Sequence, residues 1–129
     1  MTPILEVKDL NLFYSSKPGT VRAVDGLSFN LEQGKSLGIV GESGSGKSSL
    51  GLALLRLLPK NTERYSGSIL INGIETIDLP EEDFRKTYRW NQISMVFQGA
   101  MNSLNPVLSV QTQLAEPLQL TKMYSKSMI

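Results

Sequence analysis

Gly41-Glu42-Ser43-Gly44-Ser45-Gly46-Lys47-Ser48 decides the fold of this chain. The stretch fits G-x-x-x-x-G-K-[ST], the pattern of a loop that wraps backbone N–H groups around phosphate. Its flanks fit as well. Leu37, Ile39 and Val40 form a short apolar run before it and predict a buried strand. Ser48 to Leu58 is strongly apolar and predicts a helix stopped by Pro59. Each residue type has a physical reason. Glycine lets the backbone turn inward around an anion without a side chain in the way. The helix that follows adds unpaired N–H groups and a favourable dipole. Lys47 is expected to reach the outer phosphates as a point charge, and the Ser48 hydroxyl to ligate Mg²⁺.

Working outward, Leu5 to Tyr14 reads as a strand whose alternation slips near Asp9, as at a bulge. Ser15 to Thr20 reads as a turn, and Val21 to Leu31 as a second strand ended by Gln33-Gly34. The helix after the loop is apolar nearly all round, which predicts burial on most sides. Lys60 to Ser66 reads as a polar connection. Ser68–Ile71 and Ile74–Ile77 flank Asn72-Gly73, a strong hairpin signal. Pro80 opens a helix to about Arg89, with Asp78 and Glu81 spaced as a capping box. Gln92 to Phe97 reads as a strand. Ser109 to about Leu120 reads as a helix bent or interrupted by Pro117, and the tail from Lys122 as frayed.

A parallel α/β core and an antiparallel sheet are therefore interleaved. A parallel core needs several βα units to cover both faces, and only one is convincing here, so the core is expected to be incomplete. The 129 residues fit one domain. Apolar residues at 40% and charged residues at 19% fit a chain that builds a core, and a formal net charge of +1 gives no bulk attraction to nucleic acid. There is no apolar run long enough to span a bilayer and no secretory signal at Met1-Thr2-Pro3-Ile4. Cysteine and histidine are absent, which excludes disulfides, thiol catalysis and any imidazole base or ligand in these residues.

With these residues assembled, the chain resembles the N-terminal portion of an ABC-transporter ATPase subunit. It is most similar to the branch serving dipeptide, oligopeptide and nickel importers. The likeness runs from residue 3 to about 120. It rests on Leu5-Glu6-Val7-Lys8-Asp9-Leu10, Phe13-Tyr14, Ala23-Val24-Asp25-Gly26-Leu27-Ser28-Phe29, the loop from Gly41 to Ser48, Gly67-Ser68-Ile69 with Asn72-Gly73, and Met95-Val96-Phe97-Gln98. Ser103-Leu104-Asn105-Pro106 and Ala115-Glu116-Pro117-Leu118 are similar to the peptide branch in particular.

The resemblance implies an α/β P-loop nucleotidase core, incomplete, with an antiparallel β-subdomain and the start of a helical subdomain. The β-subdomain and core would fill about 1–98, and the glutamine loop and helical start about 99–129. ATP and Mg²⁺ are the implied cofactors. Tyr14 would stack on adenine and Val24 border it, with Arg22 a weaker neighbour. Gly41, Ser43, Gly44, Ser45, Gly46, Lys47, Ser48 and Ser49 would hold the phosphates. Ser48 and Gln98 would hold Mg²⁺, with Lys47 and Gln98 serving catalysis. Gly99-Ala100 departs from the Asp-Pro often found after that glutamine.

The implied partners are transmembrane permease subunits, a second ATPase subunit and, indirectly, an extracytoplasmic solute-binding protein, with no nucleic acid. The implied location is the cytoplasmic face of the cell membrane. A signature Ser-Gly-Gly, an apolar strand ending in Asp-Glu and a switch histidine are all absent from these residues. Nucleotide binding without completed hydrolysis is therefore expected of this chain alone. Alternatives are a soluble ABC-type ATPase and a non-hydrolysing nucleotide-binding fragment. Guanine and switch motifs of GTPases are absent, and a small-molecule kinase would carry its loop at the extreme N-terminus.

Overall fold

The computed structural model describes residues 3–99 and 104–120. They fall into two compact units, 1–84 and 85–129, and each is taken by itself. The first holds a four-stranded sheet in the order β2-β1-β3-β4. Its strands are β1 (Leu5–Ser16), β2 (Gly19–Leu31), β3 (Thr62–Ile71) and β4 (Ile74–Glu75), all paired antiparallel. One helix, α1 (Lys47–Leu54), begins at the phosphate loop.

The slip anticipated at Asp9 is real. Register shifts on both sides of β1 there, and Asp9 takes a left-handed φ of 47°. Two more shifts in the β1–β2 pairing put the extra residues on β2, around Gly26 and at Ala23. Asn11 ties the first two irregularities together. Its buried amide donates to the Asp9 carbonyl at 2.7 Å and accepts the Gly26 N–H at 3.0 Å. Val7, Leu10, Leu12, Ile69 and Ile71 make the sheet's core. At Asn72-Gly73 both residues have positive φ, as a two-residue hairpin turn requires.

Several expectations are corrected. The run Leu37–Val40 forms no strand, and Leu37, Ile39 and Val40 are exposed. A strand exists only beside a ladder partner, and no described strand pairs with this segment. Gln92–Phe97 likewise forms no strand beyond an isolated bridge between Arg89 and Ile93. β3 begins at Thr62, inside the expected polar connection, and β4 stops at Glu75. At the end of β4 the Glu75 carboxylate accepts the Ile69, Thr76 and Ile77 N–H groups at 3.0–3.1 Å, while the Thr76 N–H also donates to the Ile69 carbonyl at 2.9 Å.

Helix α1 ends before Pro59 can act. Arg56 N–H bonds the Ala53 carbonyl at 3.0 Å and Leu57 N–H bonds the Leu52 carbonyl at 2.9 Å. This is a Schellman stop, with Arg56 (φ 55°) in the left-handed place that glycine usually takes. Its burial is partial: Leu50 and Ala53 are buried, Leu52 and Leu54 half-buried, and past the stop Leu55 is buried and Leu57 exposed. The helix packs against β1 and β2, and the Tyr65 hydroxyl of β3 also reaches it.

Helix α2 (Glu81–Thr87) follows Pro80 as expected, with three acidic residues in its first turn and Arg85 and Lys86 in its last. Its Phe84 is fully buried. In the second unit, α3 (Val110–Leu120) is capped by Ser109, whose hydroxyl accepts the Thr112 N–H at 3.1 Å. It continues through Pro117. The frayed tail, Ala100 and Ser103 lie outside the described residues.

Candidate phosphate-binding site

The site is built where α1 meets β2. Gly44 and Gly46 adopt φ of 80° and 89°, which turns the backbone through the loop and into the helix. Gly46 is also a close approach. A Cβ placed there would lie 2.0 Å from the Ala23 carbonyl oxygen. Ala23 is the unpaired residue of the third sheet irregularity, between the Leu12–Val24 and Phe13–Arg22 pairs. The bulge thus sets its carbonyl against the loop, and only glycine leaves it room.

Lys47 closes the loop from within. Its Nζ donates to the Gly41 carbonyl at 2.7 Å, the Glu42 carbonyl at 2.6 Å and the Ser45 hydroxyl at 3.1 Å. The start of α1 carries no side-chain cap and no acidic residue in its first turn. Its orphan N–H groups and dipole therefore meet no competing side-chain acceptor, a donor set suited to an anion. Together with the glycine cradle it fits a nucleotide's phosphates.

Beside the loop lies a cavity of about 270 Å³, lined by Ala23, Val24, Asp25, Leu27, Ile39, Val40, Gly41, Ser45, Gly46, Lys47 and Leu50. Of the residues expected from sequence, Val24, Gly41, Ser45, Gly46 and Lys47 meet at this one surface. Ser43, Gly44, Ser48 and Ser49 belong to the same loop and helix start without lining the cavity. Tyr14 pairs with Val21, half-buried, and does not line the cavity either. Arg22 turns to other work. Its guanidinium lies 5.4 Å from the Phe13 ring centroid and pairs with Asp25 at 3.2 Å. Gln98 is exposed and belongs to the second unit.

For Mg²⁺ the first unit offers the exposed Ser48 hydroxyl, and among the described residues no three acidic side chains converge so as to hold a metal ion. That fits a Mg²⁺ held mainly by phosphate oxygens and water, the usual arrangement in nucleotide sites. Sequence reasoning missed the Ala23 bulge. The signal was local but faint, since only a second slip of alternation in β2 marks it.

Comparison with known proteins agrees with this geometry. Residues 24–128 match the ABC transporter family. The oligopeptide transport ATP-binding protein OppD of Escherichia coli (strain K12) is 50% identical over 124 residues, covering 96% of this chain and 36% of that protein. The dipeptide transport ATP-binding protein DppD of Lactococcus lactis subsp. cremoris (strain MG1363) is 46% identical over 115 residues, covering 89% of this chain and 33% of that protein. A dimeric ATP-binding cassette solved in a post-hydrolysis state with ADP and Pi superposes with a TM-score of 0.78 at 26% identity, covering 94% of this chain and 49% of that one. The chain thus spans little over a third of the length of these curated relatives. With its phosphate loop, its antiparallel sheet and a match over most of its length, the chain belongs to the ABC transporter family and carries an incomplete P-loop nucleotidase core.

Proposed function

We propose that this chain is the nucleotide-binding part of a peptide-importing transporter's ATPase subunit, and that its loop binds the phosphates of Mg²⁺-ATP. One observation carries the reading. Lys47 is held inside a glycine loop at an uncapped helix start, with its ammonium on neutral oxygens alone. Anionic phosphate oxygens are better acceptors for that ammonium than carbonyls, because charge-assisted hydrogen bonds are about twice as strong. The relatives' functions, oligopeptide and dipeptide transport, supply the solute class.

In this reading Gly41, Ser43, Gly44, Ser45, Gly46 and Ser49 surround the phosphates through backbone and hydroxyl groups, while Lys47 orients the outer ones. Ser48 holds Mg²⁺, and Gln98 joins it in the assembled protein. The bound metal would neutralise charge on the transferring phosphoryl group. Tyr14 and Val24 contact adenine. Residues 1–98 form the β-subdomain and core, and 99–129 the glutamine loop and the start of a helical subdomain. The whole subunit works as a pair with a second ATPase subunit on permease subunits at the cytoplasmic face of the membrane. Hydrolysis needs a carboxylate base and a signature sequence that these residues do not contain.

Thermal unfolding with and without Mg²⁺-ATP tests the reading. At a nucleotide concentration of 100 times Kd the chain should gain about 2.7 kcal/mol. Lys47→Ala should abolish that gain while leaving the nucleotide-free stability nearly unchanged. No gain in the unchanged chain rejects nucleotide binding by these residues. Steady turnover above the Lys47→Ala background would reject the expectation that they bind without hydrolysing.

A further inference from the structure

The far end of α1 carries a second constellation that phosphate binding does not use. Arg56, in its left-handed stop position, turns its side chain away from the loop. Its guanidinium donates to the Leu79 carbonyl at 2.7 Å and to the Thr76 carbonyl at 3.1 Å. It lies 4.9 Å from the centroid of the Phe84 ring and 3.9 Å from a Glu81 carboxylate oxygen. The side chain is 14% exposed and Phe84 is fully buried. One planar cation therefore joins the end of the phosphate-loop helix to the last turn before α2 and to α2's first residues. A lysine has no fork to span two carbonyls and no plane to stack on a ring.

A left-handed backbone at a non-glycine residue is disfavoured and persists where its surroundings over-determine it. Here the stop needs only the backbone, so glycine would serve better. The arginine side chain is what glycine would lack. The same helix end is fixed to the sheet by the Tyr65 hydroxyl, which donates to the Ala53 carbonyl at 2.9 Å. Helix α1 therefore has the phosphate loop at one end and Arg56 at the other, and Arg56 contacts Glu81 and Phe84 of α2.

We propose that Arg56 is a positioning residue that couples nucleotide binding at the phosphate loop to the setting of α2. This deepens the nucleotide reading above and rests on it. Trp90, the chain's single tryptophan, follows α2 and is exposed, so its fluorescence reports on the segment α2 leads into.

The experiment measures two things on the full chain: Mg²⁺-ATP affinity by calorimetry and the Trp90 emission change at saturation. The unchanged chain should bind and shift its emission. Arg56→Gly keeps the helix stop and relieves its backbone, so it should bind with similar affinity and lose the emission change. Arg56→Lys should bind and show a reduced change, which covers the case of a glycine variant that does not fold. Binding without any Trp90 change in the unchanged chain overturns the coupling and leaves nucleotide binding standing. So does a full change in both variants, or parallel loss of affinity and change, which marks a purely structural role. No binding in the unchanged chain overturns both readings at once.

Discussion

Leu10-Asn11-Leu12-Phe13 and Leu37-Gly38-Ile39-Val40 are similar apolar tetrads with different fates. Leu10 and Leu12 are 0% exposed, whereas Val40 is 93% exposed. The difference lies in what stands beside each. The first tetrad sits in β1 between two ladder partners, with its buried amide bonded to Asp9 of the same strand and Gly26 of β2. The second has no described strand paired with it. Apolar pattern states what a segment can bury, while neighbours decide whether it does.

The glycines probe this contrast most strongly. A Cβ on Gly67 would meet backbone on three sides, with the Asp9 oxygen at 2.5 Å and the Lys8 oxygen and Leu10 Cα at 2.8 Å, and its φ is 120°. At Gly46 the three nearest atoms all belong to Ala23, its carbonyl oxygen at 2.0 Å. Strain and overpacking each contribute about 1–3 kcal/mol, so Gly67→Ala should cost roughly 3–5 kcal/mol in urea unfolding. Gly46→Ala should cost less stability, because its clash is with one residue at a sheet irregularity rather than with three successive residues of β1, but should abolish nucleotide binding. Equal losses of stability would mean the loop is as rigidly held as the sheet. Next in size is Asn11→Ala. It removes both hydrogen bonds of the buried Asn11 amide, to the exposed Asp9 carbonyl and Gly26 N–H, and should cost about 1–2 kcal/mol. A much smaller loss would show that water enters the bulge and that the first tetrad is less enclosed than its exposure indicates.

How much of this was legible follows the same division. The Asn72-Gly73 hairpin, the Asp9 slip, helix α3 and the glycine turns of the phosphate loop all depend on residues close in sequence, and each was readable there. The Leu37–Val40 and Gln92–Phe97 strands were misread because strand formation depends on a partner that local pattern does not contain. The early stop of α1 was misread for another reason. Pro59 is a visible breaker, but an arginine in a left-handed stop gives no compositional sign. Within the site, the glycine turns of the loop were legible, and Val24, expected to border adenine, lines the cavity beside them. The Ala23 carbonyl was not legible, because a main-chain atom at a bulge leaves little trace in residue type.

Acid should act on the sheet's far edge. Burial raises the Glu75 carboxyl pKa, but the Ser68 hydroxyl and the Ile77, Ile69 and Thr76 N–H groups outweigh it and hold the pKa below the usual range. A depressed carboxyl stabilises the fold above its unfolded pKa, and the contribution disappears as pH falls through the folded value. Stability of the unchanged chain should therefore fall below the ordinary carboxylate range. Glu75→Gln should flatten part of that acid limb, read by urea unfolding at a series of pH values. An unchanged limb would mean that the Glu75 hydrogen bonds add no net stability to this sheet edge.

The smallest expected effect lies where sheet and loop helix join. Tyr65 pairs with Leu12 on β1 and donates its hydroxyl to the Ala53 carbonyl. That carbonyl also accepts the Arg56 N–H, so Tyr65→Phe leaves it partnered and should cost only about 0.5–1 kcal/mol. Burial, which outweighs the opposing pull of Arg56, raises the Tyr65 pKa from 10.0 to about 12. The folded pKa lies above the unfolded one. The phenol's contribution is therefore complete below pH 10 and is lost as pH rises towards about 12. Tyr65→Phe should remove that part of the alkaline decline, measured as a difference between the two proteins' stabilities across this window. If the two decline in parallel, the Tyr65 bond opens readily and α1 is held to the sheet by Leu50 and Ala53 packing alone, which would place the helix with the adaptable loop rather than with the enclosed strands.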